Sequence, residues 1–248
     1  MSADELEQMR LILSTFRDGS GQVILKASGE SMPGFRDFER ATAVVCGGTT
    51  AEDKGIFDVL IPVSGRLPYG VSCKMAVTQR ALTHSSFMEM SNSAKKFADE
   101  FQRLGIDWTT QPDLAGRATV DLVSGWHSVL GGEVDLPGSR YLLLSHDRAW
   151  RNFQILCYSL NLKHANPRTG VKWRVEGRRT PSSVAGYVRD GVRDHRLWQL
   201  YPNSGGQLKY YPLLEWAEWT SPSFTLEQPP VRSLLERVNE YFPGRWPR

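Results

Sequence analysis

Gly55–Val77, GIFDVLIPVSGRLPYGVSCKMAV, is the stretch whose reading decides the fold. It reads as two apolar strands joined by a turn-rich loop. Alternation along the first strand puts Phe57, Val59, Ile61 and Val63 on one face and Ile56, Asp58 and Leu60 on the other. With apolar residues on both faces, this strand is expected to be central and buried, yet it carries one carboxylate. In the second strand Val71, Cys73, Met75 and Val77 share a face, which leaves Ser72, Lys74 and Ala76 on the opposite one. Asp58 and Lys74 are thus charges where charge is costly unless it is paired, hydrogen-bonded or bound to metal. A structural salt bridge is one reading, and an active site at the edge of a sheet is the other.

Upstream, Ser2 and Glu5 form a capping box for a helix with Leu6, Met9, Leu13 and Phe16 on one face, closed by Asp18–Gly21. A short Val23–Lys26 segment and a Gly29–Gly34 loop follow. From Gly34, GFRDFERATAVVCGG predicts a second helix with Phe35, Phe38, Thr42, Val45 and Cys46 as its stripe. Glu39 sits at the margin of that stripe, one loop before the Asp58 strand.

Downstream, apolar residues at 87, 90, 94, 97, 101 and 104 predict a helix over Thr83–Leu104, stopped by Gly105. Its hydroxyl-rich first turns suit capping, and helix N-termini of that kind also hold anions. Another helix is expected over Arg117–Leu130, then a short buried strand at Tyr141–Ser145. Phe153–Leu160 is apolar without a decisive period. Val171–Glu176 alternates as a strand with one wet face, and Arg196–Tyr211 reads as a hairpin turning at Asn203–Gly206. A last helix, Val231–Tyr241, is expected to pack through Leu234, Leu235, Val238 and Phe242.

Charge is distributed unevenly. Nine Lys/Arg face three acids between Lys163 and Arg196, a local +6 in a chain of net +3, so the rest sums to −3. One basic region on a mildly acidic body is the pattern of a surface that meets a polyanion, and a solvated face is the plainer alternative. The three cysteines, Cys46, Cys73 and Cys157, are odd in number and far apart, as reduced thiols of an intracellular protein would be. The polar, acidic start is unlike a signal peptide, and no apolar run reaches the ~20 residues of a membrane span. With 248 residues and 40% hydrophobic content the chain has material for a large core, and no internal repeat or linker divides it. A single domain is expected.

Glu39, Asp58, Ser72 and Lys74 belong together as a helix acid, a strand acid and a strand carrying S-x-K. Two carboxylates hold Mg²⁺ while leaving room for water and phosphate oxygens, and a nearby lysine orients the attacking water or takes its proton. From Gly34 to Val77 this arrangement resembles the PD-(D/E)XK nuclease superfamily, which includes most type II restriction endonucleases. The order of the elements is the same: helix with Glu, strand with Asp, hairpin, strand ending in x-x-K. The resemblance implies Glu39 as helix acid, Asp58 as principal metal ligand, the backbone carbonyl of Cys73 as a further ligand, and Lys74 as catalytic lysine. Two positions depart from the pattern. Phe57 replaces a proline that varies in the family, and Ser72 stands where the second acid belongs. Some restriction enzymes are similar in carrying a neutral residue there. Its loss removes one ligand, so one metal or two remain open, as does an inactive site.

The resemblance implies an α/β fold: a restriction-endonuclease-like mixed central sheet flanked by helices, with a C-terminal region rich in β-hairpins. The catalytic core would cover about residues 34–105 and a DNA-recognition region about 163–220. Its function would be sequence-specific cleavage of double-stranded DNA with Mg²⁺, or Mn²⁺ in its place. A repair or structure-specific nuclease, and an inactive DNA-binding module, are the alternatives. The enzyme would be prokaryotic and cytoplasmic, and a homodimer if its target is a palindrome. Lys163, Lys172, Arg174, Arg178 and Arg179 are the expected phosphate contacts. The Arg196–Tyr211 hairpin is the expected reader, through Arg196, Gln199, Asn203, Ser204, Gln207 and Lys209, anchored by Trp198, Leu200, Leu208 and Tyr210. A Ser72/Lys74 hydrolase dyad is a further possibility, without a nucleophile elbow to support it.

Overall fold

The computed structural model describes residues 1–50, 57–77, 87–91, 94–128, 133–160, 170–190, 193–203 and 207–246. Helix α1 (Ala3–Thr15) opens with the expected capping box, the Ser2 side chain accepting from the Glu5 N–H and the Glu5 carboxylate from the Ser2 N–H. Gly19 then turns the chain at φ +102°, a value that suits glycine. Strands β1 (Val23–Ile24) and β2 (Ser31–Met32) form a small antiparallel pair, so a strand lies where a loop was expected. Helix α2 (Phe35–Val45) is capped at Gly34, whose N–H donates to the Asp37 carboxylate at 2.9 Å.

Six strands make the first sheet, in the order β13-β8-β7-β5-β4-β3. Strands β3 (Thr49–Thr50), β4 (Val59–Ile61) and β5 (Tyr69–Val77) run as an antiparallel meander. Strand β7 (Arg140–His146) then lies parallel to β5, with Lys74 opposite Leu143. Strand β8 (Phe153–Ser159) returns antiparallel beside it, which settles the type of that apolar segment. The strand expected to be central is next to the edge: β4 spans three residues, and the middle of the sheet is β5 and β7.

Between β5 and β7 lie β6 (Met88–Ser91), α3 (Ala94–Leu104) and α4 (Pro112–Ser128). The helix expected from residue 83 is therefore a strand over Met88–Ser91, because β6 finds an edge to pair with, and pairing overrides local periodicity. Residues 83–86, part of the expected anion-holding turn, lie outside the described residues. Helix α4 starts earlier than expected, with Pro112 at its first position, where a missing N–H costs nothing.

The second sheet is antiparallel, in the order β6-β12-β11-β10-β9. It contains β9 (Lys172–Glu176), β10 (Ser183–Asp190), β11 (Arg193–Leu200) and β12 (Leu208–Tyr210). Strand β13 (Trp219–Thr220) rejoins the first sheet beside β8.

Alternation sorts the core. Leu142 and Leu144 of β7 and Val71 and Cys73 of β5 pack with Met9, Leu13, Phe38 and Ala41 of α1 and α2. The opposite face, with Ala76, Tyr141 and Leu143, packs with Phe97 and Phe101 of α3, Val120 and Val123 of α4, and Trp198 and Leu200 of the second sheet. Helix α4 approaches β9 closely enough that a Cβ on Gly116 would sit 2.0–2.4 Å from the Trp173 indole.

Helix α5 (Leu234–Tyr241) departs from expectation. It has no buried residue, and Leu234 is 80% exposed. It is tied to the body by polar contacts: Arg237 to the Asp18 carboxylate at 3.0 Å, and the Arg232 N–H to the Asp18 carbonyl. Among the described residues no helix is long and apolar enough to cross a membrane.

Candidate active site at the Asp58–Lys74 pair

Asp58 sits at a bend directly before β4, its N–H donating to the Val71 carbonyl at 3.0 Å. That bond brings its carboxylate over the middle of β5. Oδ2 accepts the Cys73 backbone N–H at 2.7 Å and the Ser72 hydroxyl at 3.3 Å. Lys74 Nζ stands 3.7 Å from the same oxygen. Oδ1 accepts no hydrogen bond among the described residues. The pair is half-buried, so the charges keep some solvent and the expectation of deep burial is corrected. Ser72 is buried, and its hydroxyl goes to Asp58 rather than to Lys74, so the hydrolase dyad does not form.

Glu39 comes to this place from α2. Burial and then the negative charge of Asp58 push its carboxyl above the usual value, against the pull of Lys74, Arg36 and Arg40. Asp58, Ser72 and Lys74 thus meet by direct contact, and Glu39 lies within electrostatic range of Asp58 and Lys74. In a strand the N–H and C=O of one residue face the same neighbour. The Cys73 carbonyl therefore points to the side from which Asp58 comes. The Cys73 thiol itself is buried on the α2 face, where burial raises its pKa and leaves it a neutral, inert group.

The metal fits this set only in its smallest form. No group of three His, Cys, Asp or Glu side chains that could hold a metal ion occurs among the described residues. Mg²⁺ is commonly held by one or two carboxylates with water and phosphate completing its shell, and Asp58 and Glu39 are the carboxylates that would supply them here.

The expected DNA-contacting residues divide. Lys172, Arg174, Arg178 and Arg179 are exposed along β9 and the turn after it. Arg174 lies over the Tyr187 ring, 3.7 Å from its centroid. Asn203 is exposed, Gln207 is half-buried, and Lys209 lies over the Phe87 ring at 4.4 Å. Ser204 and Lys163 are outside the described residues.

The expected reading hairpin is part of a larger sheet. Strands β11 and β12 do pair as a hairpin, with Gln199 opposite Lys209. They are interior strands of the second sheet, flanked by β10 and β6, so they cannot enter a groove as a free ribbon. Gln199 is 6% exposed, accepts from Tyr211 Oη at 3.2 Å and reaches Ser183. Arg196 forks onto Glu176 at 2.9 and 3.0 Å and onto Tyr187 Oη. Tyr187 Oη in turn donates to Glu176. The hydrophobic anchors Trp198, Leu200, Leu208 and Tyr210 are buried as expected.

Sequence reasoning did not single out Glu176 and Tyr187, because their partners lie on neighbouring strands. The alternation of Lys172, Arg174 and Glu176 on one face of β9 was the available signal. Compared with protein-family models, with curated proteins and with solved structures, the chain matches none.

Proposed function

We propose that the chain is a Mg²⁺-dependent DNA endonuclease of the restriction-enzyme type. The observation that carries this reading is the contact of Asp58 with Lys74, with Glu39 of a helix in electrostatic range of both, in the order the PD-(D/E)XK resemblance implies. Asp58 and Glu39 would hold the cation, with the Cys73 carbonyl as a further oxygen. When bound, the cation supplies positive charge to the scissile phosphate and makes a coordinated water more acidic. Lys74, positioned by the Asp58 carboxylate, would orient the attacking water and hold charge developing on the phosphate. Water attacks phosphorus in line, the P–O bond to the leaving oxygen breaks, and no covalent intermediate forms. The exposed cations Lys172, Arg174, Arg178 and Arg179 would hold the DNA backbone, and a palindromic target would call for a homodimer.

A second reading, a DNA-binding module without catalysis, draws support from Ser72. Its hydroxyl, the Cys73 N–H and Lys74 together satisfy the Asp58 oxygen without a cation. Incubation of plasmid DNA with the chain and Mg²⁺ separates the readings. Discrete fragments support a sequence-specific endonuclease, a smear a non-specific one, and intact plasmid with a gel shift the binding module.

A further inference from the structure

A cleft of about 820 Å³ opens away from the Asp58 pair, between the end of α1, the β1–β2 loop and the β7–β8 turn. Arg17, Lys26, Arg148 and Arg151 line it against a single carboxylate, Glu30. Arg17 is partly committed, donating to the Leu226 carbonyl at 2.9 Å and pairing with Glu30 at 3.4 Å. Its Nε is buried and has no hydrogen-bond partner. The side chains of Lys26, Arg148 and Arg151 make no hydrogen bond or ion pair among the described residues. Asp147, an acid of the same turn, makes no ion pair with the two arginines among the described residues. Its carboxylate accepts the backbone N–H groups of Arg151 and Asn152 at 2.9 and 3.2 Å, and so holds the turn in shape.

The same turn presents Trp150 to the cleft. Its φ is +57°, and it is the one non-glycine residue with positive φ among the described residues. A bulky side chain in that region is a strained choice where glycine or asparagine would be free, and such strain marks places where the side chain is used. The indole stacks on the buried His146 ring, 3.7 Å between centroids, which fixes its plane. His146 is kept neutral by burial, so it adds no charge of its own.

We infer that this cleft binds a nucleotide, with its phosphate held by Arg148, Arg151, Lys26 and Arg17 and its base against Trp150. Cations converging on a pocket recognise phosphate, and a fixed indole supplies a surface for a flat base. Such a ligand is either a free mononucleotide or the 5′-phosphorylated end of a DNA strand. The inference does not depend on the endonuclease reading.

Isothermal titration of the full chain tests it, using dAMP, deoxyadenosine, inorganic phosphate and a short 5′-phosphorylated single-stranded oligodeoxynucleotide. The nucleotide is expected to bind more tightly than phosphate or nucleoside alone. Arg148→Ala with Arg151→Ala, both exposed positions, should weaken nucleotide binding about tenfold or more. Trp150→Gly, which relieves the backbone, should bring the affinity for dAMP down to that for phosphate. If the oligonucleotide binds more tightly than dAMP and loses affinity in the double variant, the ligand is a strand end; the reverse order assigns a free nucleotide. Binding of neither, or binding unchanged in the double variant, overturns the inference. So does inorganic phosphate binding as tightly as dAMP.

Discussion

Lys74 Nζ lies 3.7 Å from Oδ2 of Asp58, with the two side chains 22% and 27% exposed. An ion pair with that much solvent is worth only about 0–1 kcal/mol, so it is a weak reason for both charges to be there. The Cys73 N–H on the same oxygen contributes more to the fold than the lysine does. This separates what the carboxylate does structurally from what its charge is for.

Helix α4 and β9 give a test of the packing. Gly116→Ala forces a Cβ into the Trp173 indole, and overpacking of that kind costs about 1–3 kcal/mol. The denaturant midpoint should fall accordingly, and an unchanged midpoint would mean that α4 does not sit against β9 as described.

Glu39 gives a pH signature. Its folded carboxyl titrates above the ordinary 4.5, so within that window the folded chain keeps a proton the unfolded chain has lost. Stability contributed by Glu39 is therefore present at and below pH 4.5 and is lost as pH rises through the raised value. Glu39→Gln lacks this dependence. Its urea midpoint should gain on that of the parent chain between pH 4.5 and neutrality, and parallel profiles would mean that Glu39 is neither buried nor repelled by Asp58 as described.

Ser72→Glu places a third carboxylate beside Asp58 and Glu39 at a buried position. Without a cation that charge has only Lys74 to offset it beside Asp58, and the variant should be less stable by several kcal/mol. Added Mg²⁺ should raise its melting temperature more than that of the parent chain, since a ligand that binds only the folded state stabilises it. Equal responses to Mg²⁺ would argue that no cation site lies there.

Arg178 and Arg179 are exposed, whereas Gln199 is buried in the Glu176–Arg196–Tyr187 network. Replacing both arginines with alanine should weaken DNA binding across all sequences and flatten the salt dependence by about 2 in log–log slope. Gln199→Ala should instead cost about 1–3 kcal/mol of stability by stranding its buried partners, with DNA preference unchanged. A change in sequence preference on Gln199→Ala, with stability intact, would show that this side chain reaches DNA after all.

The contrast between these residues shows what was legible in the sequence. Helices α1 and α2 and strand β5 follow from short-range period and capping, and β5 brings Ser72 and Lys74 to Asp58. The partners of Gln199 and Arg196 were not legible, because a polar residue on an alternating strand signals a wet face, and only long-range pairing reveals what it bonds to. The Met88–Ser91 strand was hidden for a similar reason: its apolar spacing runs on into α3, and the edge of β12 decides its conformation. Strand β10, with Ala185-Gly186 at its middle, carries too little alternation to announce itself. Leu234 and Leu235 of α5 have helical spacing without a surface to cover.

The measurement that tests the central claim most directly compares the parent chain with Asp58→Asn in Mg²⁺-dependent cleavage of plasmid DNA. Asparagine keeps an oxygen for the Cys73 N–H while it removes the charge and turns the second oxygen into an amide NH₂, so the fold and DNA affinity should persist. Cleavage should fall by about 10²–10³ or more, the scale of losing one electrostatic element of an active site. Cleavage at the parent rate by a folded Asp58→Asn chain would contradict the assignment of this pair as a catalytic site.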